Sequence, residues 1–306
     1  YLIKKKRALP LCGNKDIAFD SVEVFTRNEK KTSSKILKIK DIKKLNKNLK
    51  EKVRLDLKKI IFRRQNFLKN INFSKPSIMG VLNVTPDSFS DGGKFNDKKK
   101  SFNHVSNMIR SGAKIIDVGG ESTRPGSKTI TPSIEWKRVE FVIKKFKKKF
   151  RNVCLSLDTR KSDVMVRGLK YGVDLINDVS GFSYDDMSKI KLKKYKVPKI
   201  LHHMQGTPST MQKNPKYNNV LLDIYDFFEK NIKYELKNQN IIIDPGIGFG
   251  KTLKHNLTLI SKISLFHSLG FPILVGTSRK RFINQISGEY DSKDRTGGTL
   301  ASVLFL

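Results

Sequence analysis

At 306 residues and 38% apolar, the chain can fold as one large domain or two smaller ones, and with no apolar window of about 18 residues it excludes a membrane-spanning helix. The formal net charge of +34 raises nucleic-acid binding. Only 14 of the 62 basic residues are Arg, however, the lysines are not interleaved with aromatics, and no zinc-finger, RRM or basic-zipper pattern occurs. Cys12 and Cys154 make neither a metal nor a disulfide framework and point to a reducing, cytoplasmic setting, and the basic start "YLIKKKRALPLCG" lacks the apolar core of a secretory signal.

Residues 1–77 are rich in Lys and poor in Gly. Two strand-like pieces, "IAFDSVEVFTR" and "KILKIKDI", precede the helical pattern "NKNLKEKVRLDLKKIIFRRQNFLK". They predict an N-terminal extension built from a hairpin and a helix, with no motif that assigns it chemistry.

From Ile78 a different rhythm begins. Apolar runs end in polar, Gly-rich turns: "IMGVLNV" (78–84), "KIIDVGGE" (114–121), "VCLSLDT" (153–159), "DLINDVSG" (174–181), "KILHHM" (199–204), "IIIDPGIG" (241–248) and "PILVGTSR" (272–279). Amphipathic helical stretches separate them. One of these carries "KKFKKKF" (144–150), which reads as a solvated lysine face over Phe146 and Phe150. Continuous Ile, Val and Leu runs alternating with helices predict parallel strands buried on both faces, so the fold class is α/β. Seven βα units are visible over 78–306, one short of a TIM (β/α)8 barrel, and the chain stops where the eighth strand is due.

A TIM barrel gathers its chemistry at the C-terminal strand ends. Those ends carry Asn83, Asp117 and Glu121, Asp158, Asn177 and Asp178, His203 and Gln205, Asp244, and Ser278, Arg279 and Lys280. Any one of them can be a helix cap or turn former. Together they predict carboxylates and amides converging on one face. The adjacent His202 and His203 point to opposite sides of a strand and so form no joint metal site. "GIGFGKT" (246–252) lacks the G-x-x-x-x-G-K-S/T spacing of a nucleotide loop.

The segments "MGVLNVTPDSFSDGG", "GAKIIDVGGESTRPGS", "LSLDTRKSDV", "LINDVSG", "HHMQGTPSTMQ", "IIIDPGIGFGKT" and "VGTSRKRFI" resemble, in order and spacing, the signature segments of the dihydropteroate synthase family. The resemblance covers residues 78–306 and leaves 1–77 outside. It implies that hydroxymethyl-dihydropterin diphosphate loses diphosphate and p-aminobenzoate takes its place. By the same resemblance Asn177 and Asp244 bind the amino-pyrimidinone edge of the pterin, Asp158 stabilises positive charge near the ring, and Met204 and Phe249 line the pterin pocket. Asn83 is implied as the protein ligand of a Mg²⁺ ion that rides on the diphosphate, since Mg²⁺ takes few protein oxygens when phosphates are present. Lys280 bridges pterin and aminobenzoate, with Ser278 and Arg279 beside it. Several relatives have Ser after this lysine where this chain has Arg281. Phe89 and Pro125 would wall the benzoate ring, with Thr123 and Arg124 near the diphosphate and amine, all in mobile loops (85–95 and 121–129).

The family's Arg-x-His segment on its last strand is not in this chain. With the missing initiator Met, that points to part of a longer reading frame. The family also implies a homodimer acting on small molecules, with no membrane or nucleic-acid partner. Two alternatives compete: a methyltetrahydrofolate-dependent methyltransferase, which would not need "TRPG" or "SRK", and a non-catalytic basic folate or polyanion binder, which would not need the intact strand-end residues.

Overall fold

A two-residue turn at Cys12 and Gly13, both at positive φ (51° and 72°), starts the folded chain, as a tight right-twisted hairpin requires. The computed structural model describes residues 2–5, 7–28, 31–85, 98–123, 126–236, 239–288, 291 and 294–306. The chain divides into two units, Tyr1–Gln65 with Phe73–Lys75 and Ser264–Pro272, and Asn66–Asn72 with Pro76–Ile263 and Ile273–Leu306.

In the smaller unit β1 (Leu9–Leu11) pairs antiparallel with β2 (Asn14–Phe19), and β3 (Ser21–Asn28) with β4 (Lys31–Lys38). One hairpin is expected from the pattern, and two form. The run "IAFDSVEVFTR" divides at Asp20, its first half folding back on β1 and its second half pairing forward with β4. A three-residue β1 is too short to show an alternating pattern. A 3₁₀ turn (Ile39–Lys44) leads to α1 (Lys47–Ile61), whose first turn is capped by Asn46 accepting from the Leu49 amide at 2.9 Å. Ile42, Val53 and Leu57 form the core of this unit, with Val22 and Val24 packed against it.

The larger unit alternates strand and helix: β5 (Met79–Asn83), α2 (Lys98–Arg110), β6 (Ile115–Gly119), α3 (Pro132–Lys149), β7 (Cys154–Asp158), α4 (Ser162–Lys170), β8 (Leu175–Asp178), α5 (Met187–Lys193), β9 (Lys199–His202), α6 (Val220–Lys230), β10 (Ile241–Asp244) and α7 (Leu253–Ser261). Strands β5 to β10 lie parallel and in sequence order in one sheet. A seventh run continues it through the parallel bridge Ile243–Ile273, followed by α8 (Arg281–Ser287) and α9 (Thr296–Phe305). Parallel strands joined by single helices in order are the wall of a TIM barrel. Leu155, Leu157, Leu175, Ile176, Ile200 and Leu201 are fully buried, as strands covered on both faces must be. Among the described residues no helix is long and apolar enough to cross a membrane.

Strand register places the chemistry. Asn83 pairs with Gly119, Gly119 with Asp158, and Asp158 with Asn177, so the last residues of β5, β6 and β7 and the third of β8 stand in one row.

Candidate active site

Gly119 is the member of that row without a side chain. A methyl group there would meet Asn83 Oδ1 at 3.2 Å and Asp158 Oδ2 at 3.4 Å, so the two polar groups lean over the same space. Neither makes a side-chain hydrogen bond among the described residues. The expected outcome for Gly119→Ala is a folded protein with kcat/KM lowered by about tenfold or more, because small misplacements of reacting groups are costly. Steady-state kinetics beside a thermal melt check this, and wild-type kinetics would show that the space above Gly119 is not used.

Asp158 has an unusual environment. Burial comes first, then the negative charges of Asp117, Glu135 and Asp178, and together they push its carboxyl well above the ordinary range; Arg160 opposes them. One layer deeper, Asn177 Nδ2 donates to Asp117 Oδ2 at 2.8 Å. Burial pushes Asp117 up to about 6, with the Ser156 hydroxyl and then the Asn177 amide holding it back and the Asp244 charge adding to the rise. Asp117 Oδ1 and Asn177 Oδ1 are buried acceptors with no donor among the described residues, and each such orphan costs free energy unless a ligand supplies an N–H.

Across the barrel Asp244 is 8% exposed, and its Oδ1 accepts from the Gly246 amide at 2.8 Å. Lys280 threads past Gly248 and Gly276, donates to the Ile247 carbonyl, and sits 4.8 Å from the Phe249 ring centroid. Burial lowers Lys280 to about 8 while Asp244 holds it up. The loop carrying Phe249 is pinned by side chains: Lys251 Nζ to Phe249 O at 2.9 Å, Gln212 Nε2 to Gly248 O at 2.8 Å, Tyr217 Oη to Gly250 O at 2.8 Å, and Gly248 N to Asn256 Oδ1 at 2.7 Å. Met204 and Phe249 are half-buried. His202 and His203 take different partners. The first meets Val179 O at 2.9 Å and the Phe249 ring edge, the second lies 3.2 Å from Lys251 Nζ and beside Phe227. Burial drives both histidines down, His202 to about 4.

The structure thus groups Asn83 with Asp158 and Gly119, Asn177 with Asp117, and Asp244 with Lys280 and Phe249. Thr123 is half-buried two residues beyond Glu121. Ser278, Arg279 and Arg281 are exposed, with no side-chain hydrogen bond or ion pair to the other site residues; the Arg279 amide donates to Thr299 Oγ1 at 2.9 Å. Phe89, Arg124 and Pro125 lie outside the described residues. Asp117 was visible in the sequence only as one strand-end carboxyl among several. Its contact with Asn177, two strands away, needs the register, which no local pattern shows.

A barrel wall with buried acceptors, a desolvated carboxyl and a half-buried lysine at its strand ends is the architecture of an α/β-barrel enzyme. The profile of the pterin binding enzyme family matches residues 79–305, and the chain belongs to that family. It is 44% identical over 232 residues to the dihydropteroate synthase of Clostridium beijerinckii, spanning 74% of this chain and 82% of that protein. Among solved structures, dihydropteroate synthase of Yersinia pestis with a sulfonamide drug complex superposes with TM-score 0.74 at 36% identity, covering 78% of this chain and 88% of that one. The Xanthomonas albilineans enzyme with 4-aminobenzoic acid gives 0.71 at 33% identity, covering 77% and 85%.

Proposed function

We propose that this chain is a dihydropteroate synthase, a transferase that joins 6-hydroxymethyl-7,8-dihydropterin diphosphate to p-aminobenzoate, giving 7,8-dihydropteroate and diphosphate. The observation that carries the reading is the pair of buried acceptors, Asp117 Oδ1 and Asn177 Oδ1, which lack donors among the described residues. An amino-pyrimidinone edge brings the N–H groups they lack. Asp244 accepts from the same edge, and the Lys280 ammonium donates toward its carbonyl.

In the reaction the bond from the pterin methylene carbon to the diphosphate oxygen breaks with its electron pair leaving on oxygen. The amine lone pair forms the new C–N bond, and the amine loses a proton. Positive charge that builds at the methylene as the leaving group departs is favoured by Asp158, whose desolvated carboxyl is crowded by other carboxylates. Met204 and Phe249 provide apolar walls. Thr123, Ser278, Arg279 and Arg281, with Phe89, Arg124 and Pro125, are assigned to the aminobenzoate and diphosphate on family grounds.

A Mg²⁺ ion fits this reading. Among the described residues no three His, Cys, Asp or Glu side chains form a metal cage, and Asn83 offers one uncommitted amide oxygen. A hard cation bound mainly by phosphate oxygens and water needs no more. When present it would neutralise charge on the departing diphosphate. Family membership carries the expectation of a homodimer, and the unpaired Cys12 and Cys154 support a reducing, cytoplasmic setting.

The test is direct. The full chain, incubated with both substrates and Mg²⁺, is expected to form dihydropteroate and diphosphate in equal amounts, followed by chromatography. Absence of product from protein with a cooperative melt would overturn the reading.

A further inference from the structure

Just outside the row lies a group of buried charges, two of which, Glu135 and Arg160, also act on Asp158. Glu121 follows the Gly119–Gly120 pair at the end of β6. Its Oε2 accepts from Arg160 Nη2 at 2.7 Å and Nε at 3.2 Å; its Oε1 meets Lys161 Nζ at 2.8 Å and accepts from the Ile130 amide at 3.1 Å. Lys161 Nζ continues to Glu135 Oε2 at 2.6 Å on the first turn of α3. All four side chains are at most 7% exposed. The Arg160 guanidinium carbon also lies over the Tyr184 ring, 4.1 Å from its centroid.

Two anions and two cations in alternation neutralise one another, and removing one strands the rest in a poor solvent. Such a cluster is an expensive way to gain stability alone. Its placement suggests a different use. Glu121 stands two residues before Thr123, and its carboxylate also holds the amide of Ile130. Arg160 and Lys161 are the second and third residues after Asp158. One carboxylate therefore links Ile130, and the chain just before Thr123, to the strand end containing Asp158.

We propose that Glu121 is a positioning residue for the transfer reaction, setting Ile130 and the backbone that leads to Thr123 at a fixed offset from Asp158 through Arg160, Lys161 and the Ile130 amide. The inference rests on the synthase reading for its kinetic consequence, while its structural consequence is independent of any activity. Arg160 is the two-pronged partner, packed over the Tyr184 ring, and Lys161 links the carboxylate to α3.

The experiment uses the full chain and two variants, Glu121→Gln and Arg160→Lys. Gln keeps the shape but gives up the charge, and Lys keeps the charge but loses the fork. Both are expected to raise KM for p-aminobenzoate by about tenfold or more while kcat stays within about threefold, the signature of displaced binding groups. A variant that merely unfolds in part loses kcat through its active fraction and leaves KM unchanged, so the split separates the two cases. Hydrogen exchange on the substrate-free protein supplies the second readout: the Ile130 amide should exchange faster in Glu121→Gln, with β8 and β9 amides unchanged. Should Glu121→Gln not fold, Arg160→Lys is read by the same two measurements. Wild-type KM together with wild-type exchange at Ile130 would overturn the proposal. A wild-type protein that makes no dihydropteroate would instead overturn the synthase reading, and faster exchange at Ile130 would still report the clamp.

Discussion

Replacing Lys280 with Ala is expected to lower kcat/KM by about a hundredfold or more with little change in thermal stability, since a single charged donor at a transfer site contributes on that scale. The side chain is an active-site group and not a surface charge. Its stem passes Gly248, where a methyl group would crowd its Cδ at 3.0 Å, and Gly276; its ammonium rests on the Ile247 carbonyl and over Phe249. Burial pulls it down to about 8, so its proton is held below that pH and lost above it. The sign follows directly. If the cation orients the pterin, kcat/KM of the free enzyme falls on the alkaline side with a midpoint near 8. Lys280→Arg keeps a cation at every accessible pH and should remove that fall while lowering the plateau, because a planar fork does not match the Ile247 carbonyl. Rates across pH 6 to 10 for the three proteins decide it, and near-normal kinetics of the Ala variant would take Lys280 out of the site.

Asp158→Asn is expected to move activity and stability in opposite directions. The carboxyl is crowded by Asp117, Glu135 and Asp178 in a desolvated setting, which raises its affinity for a proton in the folded state above that in the unfolded chain. Stability from such a group is fully present below the unfolded value of about 4 and is lost as pH rises through the folded value. At pH 8 the Asn variant should therefore melt higher than the parent, and at pH 4 the two should melt alike. Turnover should drop by about a hundredfold with KM almost unchanged, because the charge interacts with a cation that exists only as the C–O bond breaks. A variant that loses stability at pH 8, or that keeps its turnover, would place Asp158 among the structural residues. Sites of this kind are held at a cost to the fold, which the rest of the barrel offsets.

The barrel was legible because its strands are uniform. In runs such as "VCLSLDT" and "IIIDPGIG" a mainly apolar strand ends on an Asp, and that pattern encodes both a buried parallel strand and the face where chemistry collects. Asn83, Asp158, Asn177, Asp244 and Lys280 could be picked out as strand-end residues for this reason. What joins them could not. Asp117 pairs with Asn177 across two strands, and Glu121 holds residues 9, 39 and 40 positions further on. Such contacts are set by register and by how loops return, neither of which leaves a local period. Of the two N-terminal hairpins the β3–β4 pair was expected and the β1–β2 pair was not, since the latter is so short that its turn, with two residues at positive φ, is its strongest signal.

The row formed by Asn83, Gly119 and Asp158 has a mechanical meaning beyond the identity of its members. Asn83 and Asp158 stand two strands apart, about twice the ordinary 4.8 Å spacing of hydrogen-bonded strands. They are posts of an aperture whose width belongs to the backbone ladder and not to any side chain. Substitution at either post changes the chemistry at the rim, but the opening keeps its size. Evolution can retune what this site attracts one residue at a time; changing what fits between the posts would mean rebuilding the sheet.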